Sequence, residues 1–177
     1  LNLFSIEVGG HLTEDTTWSP VNNPYILIDN IYVDEGVTLT ILPGTEIKIT
    51  GASCTNWQEL DQSFWFQNGN NDAKMFWVDG RIISEGTEQD SIIFTRDNDI
   101  LYNHWGTIYF NDSSQKSVFK HCLFEFSSII CIDYCNEAFG AISGSVTELL
   151  IRNCTFRDNY HGIFINIDND TGLSRRY

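Results

Sequence analysis

The sequence predicts an all-β protein whose short strands wind as a coiled parallel β-solenoid with loop insertions. Between Thr16 and Thr50 lie four β-type runs, Tyr25–Ile28, Ile31–Val33, Val37–Ile41 and Glu46–Ile49. They are parted by turn residues at Asp29-Asn30, Asp34-Glu35-Gly36 and Pro43-Gly44. Strands this short and this closely spaced suit a chain that turns a corner and continues, because a hairpin needs longer arms. The same grammar returns at Phe76–Gly86, at Ser91–Thr95 and at Trp105–Phe110.

Repeats carry the prediction into the second half of the chain. Ser117–Phe126 aligns with Leu149–Asp158 on Cys122 and Cys154, and each is preceded by a glycine strand at Gly106 or Gly140. A third glycine strand follows at Gly162. Gly140 to Gly162 is 22 residues, the bare period; Gly106 to Gly140 is 34, because a dozen residues around Ile129–Asn136 are inserted. A period of about 20–25 residues built from strands alone points to a solenoid whose neighbouring coils stack at about 4.8 Å. Equivalent residues then stack along the axis. Cys122 and Cys154 are expected inward on adjacent coils as small core fillers, with His121 and Asn153 stacked at a corner.

Besides the insertion at about 127–138, two others are read, at about 51–74 and 96–104. The rest is one domain over 1–177, since the length suffices for one core and not for two. The first insertion carries Trp57, Phe64, Trp65 and Phe66 among polar residues. Such rings form either a platform for sugars or a partner, or a cover folded back on the solenoid. Gly36, Gly80 and Gly86 are expected where the coil turns at positive φ, and Pro43-Gly44 as the centre of a type II turn. Leu1–Val8 alternates as an edge strand would.

Ten basic against 24 acidic residues give a formal charge of −14, which repels nucleic acid and anionic lipid. Neither a membrane span nor a leader pattern is present. Beginning at Leu1, the chain reads as processed or as part of something longer. The five cysteines lack zinc-site spacing; Cys131 and Cys135 are placed to close a small disulfide in a loop.

The segment Trp18-Ser19, Pro24-Tyr25-Ile26, Val33 to Ile41 and Pro43-Gly44-Thr45, with Val78, Gly80, Ile82 and Gly86 and then Trp105, Gly106, Ile108 and Phe110, resembles the right-handed parallel β-helix family. This is the fold of pectate lyases and many bacterial surface proteins. More narrowly, the pattern is similar to non-enzymatic repeat proteins exported by environmental bacteria. It covers about residues 10 to 165, with the insertions as departures, and implies roughly five to seven coils. It is specific for fold and poor for activity.

No catalytic constellation emerges. Arg81, Arg96, Lys116, Lys120, Arg152 and Arg157 supply bases by type, outside any lyase motif. The carboxylate pairs Asp97/Asp99 and Asp168/Asp170 are glycosidase candidates by type only. No G-x-S-x-G occurs, and His11, His104, His121 and His161 are scattered. Asp168-Asn-Asp170-Thr-Gly172 resembles the start of a calcium loop without its distal glutamate, so calcium is the one cofactor considered and Asp168 and Asp170 its ligands. Ile163–Ile167 reads as a strand followed by no apolar cap, and an uncapped edge invites a neighbour. The expectation is a non-enzymatic extracellular or cell-surface structural or adhesive protein that stacks head to tail into filaments. The alternative is a carbohydrate-binding or polysaccharide-lyase-like module using Trp57, Trp65 and Trp105.

Overall fold

The computed structural model describes residues 5–53, 73–98, 103–112, 114–127, 129–132, 136–145 and 148–166. The elements, in chain order, open with β1 (Ile6–Leu12), β2 (Thr16–Trp18), a 3-10 turn at Pro20–Asn22, β3 (Tyr25–Val33), β4 (Thr38–Ile41), β5 (Glu46–Ile49) and β6 (Ala52–Ser53). Next come β7 (Phe76–Val78), β8 (Arg81–Glu85), β9 (Ile92–Arg96), β10 (Asn103–His104), β11 (Ile108–Phe110), β12 (Ser117–Lys120) and β13 (Cys122–Glu125). Last are β14 (Ile129–Ile132), β15 (Asn136–Phe139), β16 (Ile142–Ser145), β17 (Leu149–Arg152), β18 (Thr155–Arg157) and β19 (Ile163–Asn166). Among the described residues there is no α-helix, and so none long and apolar enough to cross a membrane.

The protein is all-β, with its parallel strands in two curled sheets. The larger runs β18-β13-β9-β5-β3-β7-β11-β16-β19 with β1 also on β3; the smaller runs β17-β12-β8-β4-β2. The larger sheet folds over on β3. Tyr25–Leu27 pair with Ile47–Ile49 of β5, whereas Ile31–Val33 pair with Phe76–Val78 of β7. The expected break at Asp29-Asn30 is therefore a bend within one strand. β1 bends beside it, its register shifting between Val8 and Gly10.

Three parallel ladders result. The first holds the start of β1, the start of β3, then β5, β9, β13 and β18; the second holds the end of β1, the end of β3, then β7, β11, β16 and β19. The third is the smaller sheet. Chain order visits first, second and third ladder in turn, so each circuit contributes one rung. In-register parallel pairing makes equivalent side chains neighbours along the ladder. Alternation then sends every second residue inward: β3 is buried at Tyr25, Leu27, Ile31 and Val33, β5 at Ile47 and Ile49, and β9 at Ile92 and Phe94.

Columns of like residues fill the interior. Ile31, Phe76, Ile108 and Ile142 follow one another in the second ladder, all fully buried. In the first, Phe94 stacks on Phe124 and Phe124 on Phe156, each at 4.9 Å, and Phe119 meets Phe124 edge-on at 5.5 Å. The rung spacing is close to the stacking distance of aromatic rings, so the ladder positions them without strain.

The turn chemistry divides into two kinds. Gly36 and Gly44 have φ of 79° and 78°, and Thr45 donates its N–H to Leu42 O at 3.2 Å across Pro43-Gly44. This is the expected type II turn. Gly80 and Gly86 differ from expectation, for neither has positive φ and both are needed for space instead. A Cβ on Gly80 would lie 2.2 Å from Val37 O, and one on Gly86 2.6 Å from His121 O.

A second correction concerns register. Ile142 pairs with Ile163, so Gly140 aligns with His161 and Ala141 with Gly162. The step is 21 residues, one fewer than the glycines suggest, and the glycine motif is displaced by one. The insertion near residue 130 forms an antiparallel hairpin of β14 and β15, and the bases of the other two insertions meet where β6 pairs antiparallel with β10.

Candidate functional site

Two surfaces combine chemistry with an orderly arrangement. The first is the outer face of the second ladder. Each of its three central strands places an aromatic ring between two inward residues: Tyr32 between Ile31 and Val33, Trp77 between Phe76 and Val78, and Tyr109 between Ile108 and Phe110. Pairing puts His11, Tyr32, Trp77 and Tyr109 in one outward column. His11 stacks on Tyr32 at 4.6 Å and 12°, and Trp77 lies against Tyr109 at 4.8 Å and 38°. Met75 is buried beneath the latter pair.

Polar groups line this column. His11 Nδ1 lies 2.7 Å from Asp34 Oδ1, Asn30 Nδ2 donates to the Tyr32 hydroxyl at 3.3 Å, and Asn111 Nδ2 donates to Asp79 Oδ1 at 2.8 Å. Asp34, Asp79 and Asn111 follow paired residues of β3, β7 and β11, so they form their own column at the corner. Flat rings beside carboxylate and amide acceptors are the groups that stack on and hydrogen-bond a polyhydroxylated ligand.

The second surface is the last rung. Its residues repeat the inner columns without being covered. Ile163 continues the column of fully buried Ile108 and Ile142, yet is 47% exposed. Phe156, Ile151 and Ile165 of the inner columns are only partly buried, whereas Leu150 and Phe164, which continue outward columns through Val118 and through Tyr109 and Ser143, are exposed. Arg157, 61% exposed along its side chain, donates through Nε to Glu125 Oε1 at 2.8 Å, and Glu125 is nearly buried. At the opposite edge, among the described residues, β1 pairs on one side only, and Ile6 and Glu7 are exposed. Glu7 heads the column that passes through Ile26, Lys48, Thr95 and Glu125 to Arg157.

Trp105, a binding ring only in the alternative carbohydrate reading, is fully buried, and its indole N–H donates to Glu125 O at 2.5 Å. It is a core residue, and its backbone N–H donates to Phe126 O at 3.1 Å. Cys122 is buried and Cys154 half-buried, as their shared column requires. His121 and Asn153 do form a corner pair: both have left-handed backbones, φ 47° and 54°, and their side chains bond at 3.2 Å. Lys116 and Lys120 pair on the surface with Glu148 and Glu85.

Trp57, Phe64, Trp65, Phe66, Cys135, Asp168 and Asp170 lie outside the described residues. The backbone of Cys131 lies in β14, opposite Glu137. Among the described residues no three of His, Cys, Asp or Glu are grouped to hold a metal. The outward rings were missed because rungs 21, 45 and 32 residues apart bring them together (His11–Tyr32, Tyr32–Trp77, Trp77–Tyr109). The signal was an aromatic at the centre of each three-residue apolar strand. No family model matches the chain, and neither does any curated protein or solved structure.

Proposed function

We propose that this chain is a non-enzymatic structural or adhesive protein of the extracellular space or cell surface, folded as a right-handed parallel β-helix whose edges stack copy upon copy. One observation carries the reading. Ile163 occupies a position that is fully buried in every preceding rung of the second ladder except the first, yet is half open itself. A further rung laid on β17, β18 and β19 would bury it and pair the backbone edge. The rung suited to do so is the first rung of a second copy. Its exposed Ile6 heads the inner column that ends at Phe156 and its half-buried Leu12 the one that ends at Ile165, while Gly10 heads the column of Ile163 and would meet it with backbone alone.

Charge favours this pairing over edge-to-edge association of like ends. Continuing the first-ladder column beyond Arg157 brings Glu7 of the next copy, and Glu14 and Asp15 add negative charge at that edge. Such a contact is heterologous and does not close, so it grows a filament. Sedimentation velocity over a range of concentrations tests it. A distribution that lengthens with concentration, and shortens for both E7R and R157E, supports the reading; a monomer throughout overturns it.

A second reading rests on the outward column His11–Tyr32–Trp77–Tyr109, a carbohydrate-binding face in which the rings stack on sugars and Asp34 and Asp79 accept hydroxyls. Titration with soluble oligosaccharides tests it. Binding lost in Trp77→Ala with unchanged circular dichroism supports the reading; absence of binding across uronate, hexose and amino-sugar oligomers counts against it.

A further inference from the structure

The cysteines of the last two rungs are more closely matched than packing alone requires. Leu123 pairs with Thr155, so the preceding residues, Cys122 and Cys154, share one column. Each follows a left-handed corner residue, and each thiol reaches the carbonyl two residues earlier, Cys122 Sγ to Lys120 O at 3.3 Å and Cys154 Sγ to Arg152 O at 3.5 Å. The two side chains therefore point the same way. They differ in access: Cys122 is 1% exposed and touches the Ser84 hydroxyl at 3.3 Å, whereas Cys154 is half-buried on the uncovered rung.

We propose that Cys122 and Cys154 are a reactive dithiol that exchanges with low-molecular-weight disulfides, with Cys154 attacking first and Cys122 resolving. Adjacent rungs set the two Cα atoms about 4.8 Å apart, within the range a disulfide spans. Parallel Cβ vectors leave the Cβ atoms slightly wide, so closure needs rotation of Cys154. Among the described residues of a single copy no strand pairs beyond β18 to prevent that turn.

The chemistry is ordered by the hydrogen bonding. Donation from the Cys122 thiol, with backbone hydrogen bonds at Cys122 and Arg152, lowers the Cys154 pKa to about 7 against the opposing effect of burial. Cys122 is pushed up, first by this link to Cys154 and then by burial. The Cys154 thiolate attacks one sulfur of the external disulfide; that S–S bond breaks, and one small thiolate leaves. Cys154 is now a neutral mixed disulfide, so the main cause holding the Cys122 proton is gone, and the Ser84 hydroxyl favours its thiolate. Cys122 loses its proton to solvent and attacks Cys154 Sγ, forming the Cys122–Cys154 bond and releasing the second thiolate. Two cysteine thiols are oxidised, and one external disulfide is reduced to two thiols.

The test treats dilute full-length protein with glutathione disulfide, quenches with acid, alkylates and maps peptides by mass spectrometry. The expected product is a Cys122–Cys154 linked peptide, with C122S stopping at a glutathione adduct on Cys154. In C154S, glutathionylation of Cys122 falls at least tenfold. If C154S fails to fold, the wild-type map still decides. A wild-type protein that stays unreacted, or keeps a Cys154 adduct while Cys122 remains alkylatable, overturns the proposal, as does Cys122 reacting equally fast in C154S.

Discussion

Removing the ring of Phe124 tests whether the interior is a stack of registered columns. The ring is fully buried, sandwiched between Phe94 and Phe156 at 4.9 Å each and met edge-on by Phe119. Truncating a buried Phe to Ala costs about 3–5 kcal/mol, and each aromatic contact adds about 0.5–1.5 kcal/mol beyond area alone. With two stacked partners and one edge-on partner, Phe124→Ala belongs near the upper figure. For a chain of this size that lowers Tm by roughly 10–20 °C. Phe156 has the same column position with a partner on one side only and is half-buried. Its truncation should cost about half as much. Urea unfolding followed by tryptophan fluorescence measures both. A cost for Phe124→Ala below about 1 kcal/mol, or equal to that of Phe156→Ala, would refute the column arrangement.

Gly80→Ala forces a Cβ to within 2.2 Å of Val37 O and should lower the urea midpoint well beyond Gly36→Ala, whose added Cβ meets nothing and bears only the strain of φ 79°; equal effects would contradict the close approach. Arg157→Ala leaves the nearly buried Glu125 carboxylate without its charged partner and should cost about 1–3 kcal/mol, whereas Lys116→Ala breaks an exposed pair with Glu148 and should cost under about 0.5 kcal/mol; denaturation curves distinguish them. Iodoacetamide labelling of Cys154 should rise through its midpoint as pH increases past about 7, since the thiolate forms there, rather than near the usual thiol value of about 8.5; a midpoint at the ordinary value would remove the Cys122 hydrogen bond from the account.

The fold was legible where turn chemistry and strand length agreed. Pro43-Gly44 between Ile41 and Glu46 specifies a turn on its own, and the Cys122 and Cys154 segments show their common column because no insertion falls within either. Reading failed where two physical demands give the same residue. Glycine at 80 and 86 answers a close backbone approach rather than positive φ, and the sequence looks identical for both. The displacement of Gly162 arose for a related reason, since register is set by inward residues such as Ile142 and Ile163, and a glycine has no side chain to declare its face. The outward rings required knowing which rungs are adjacent across insertions of different length. Trp105 opens a solenoid strand and is lost to the alternative reading as a binding ring, because its indole finds a backbone carbonyl inside.

Cryo-electron microscopy of the purified protein at high concentration tests the central claim most directly. The six rungs among the described residues span about 29 Å at about 4.8 Å each, so the account predicts filaments with a subunit repeat of at least that length and Arg157 of one copy facing Glu7 of the next. Discrete single particles, or filaments joined through the outer faces with β19 still uncovered, would contradict it.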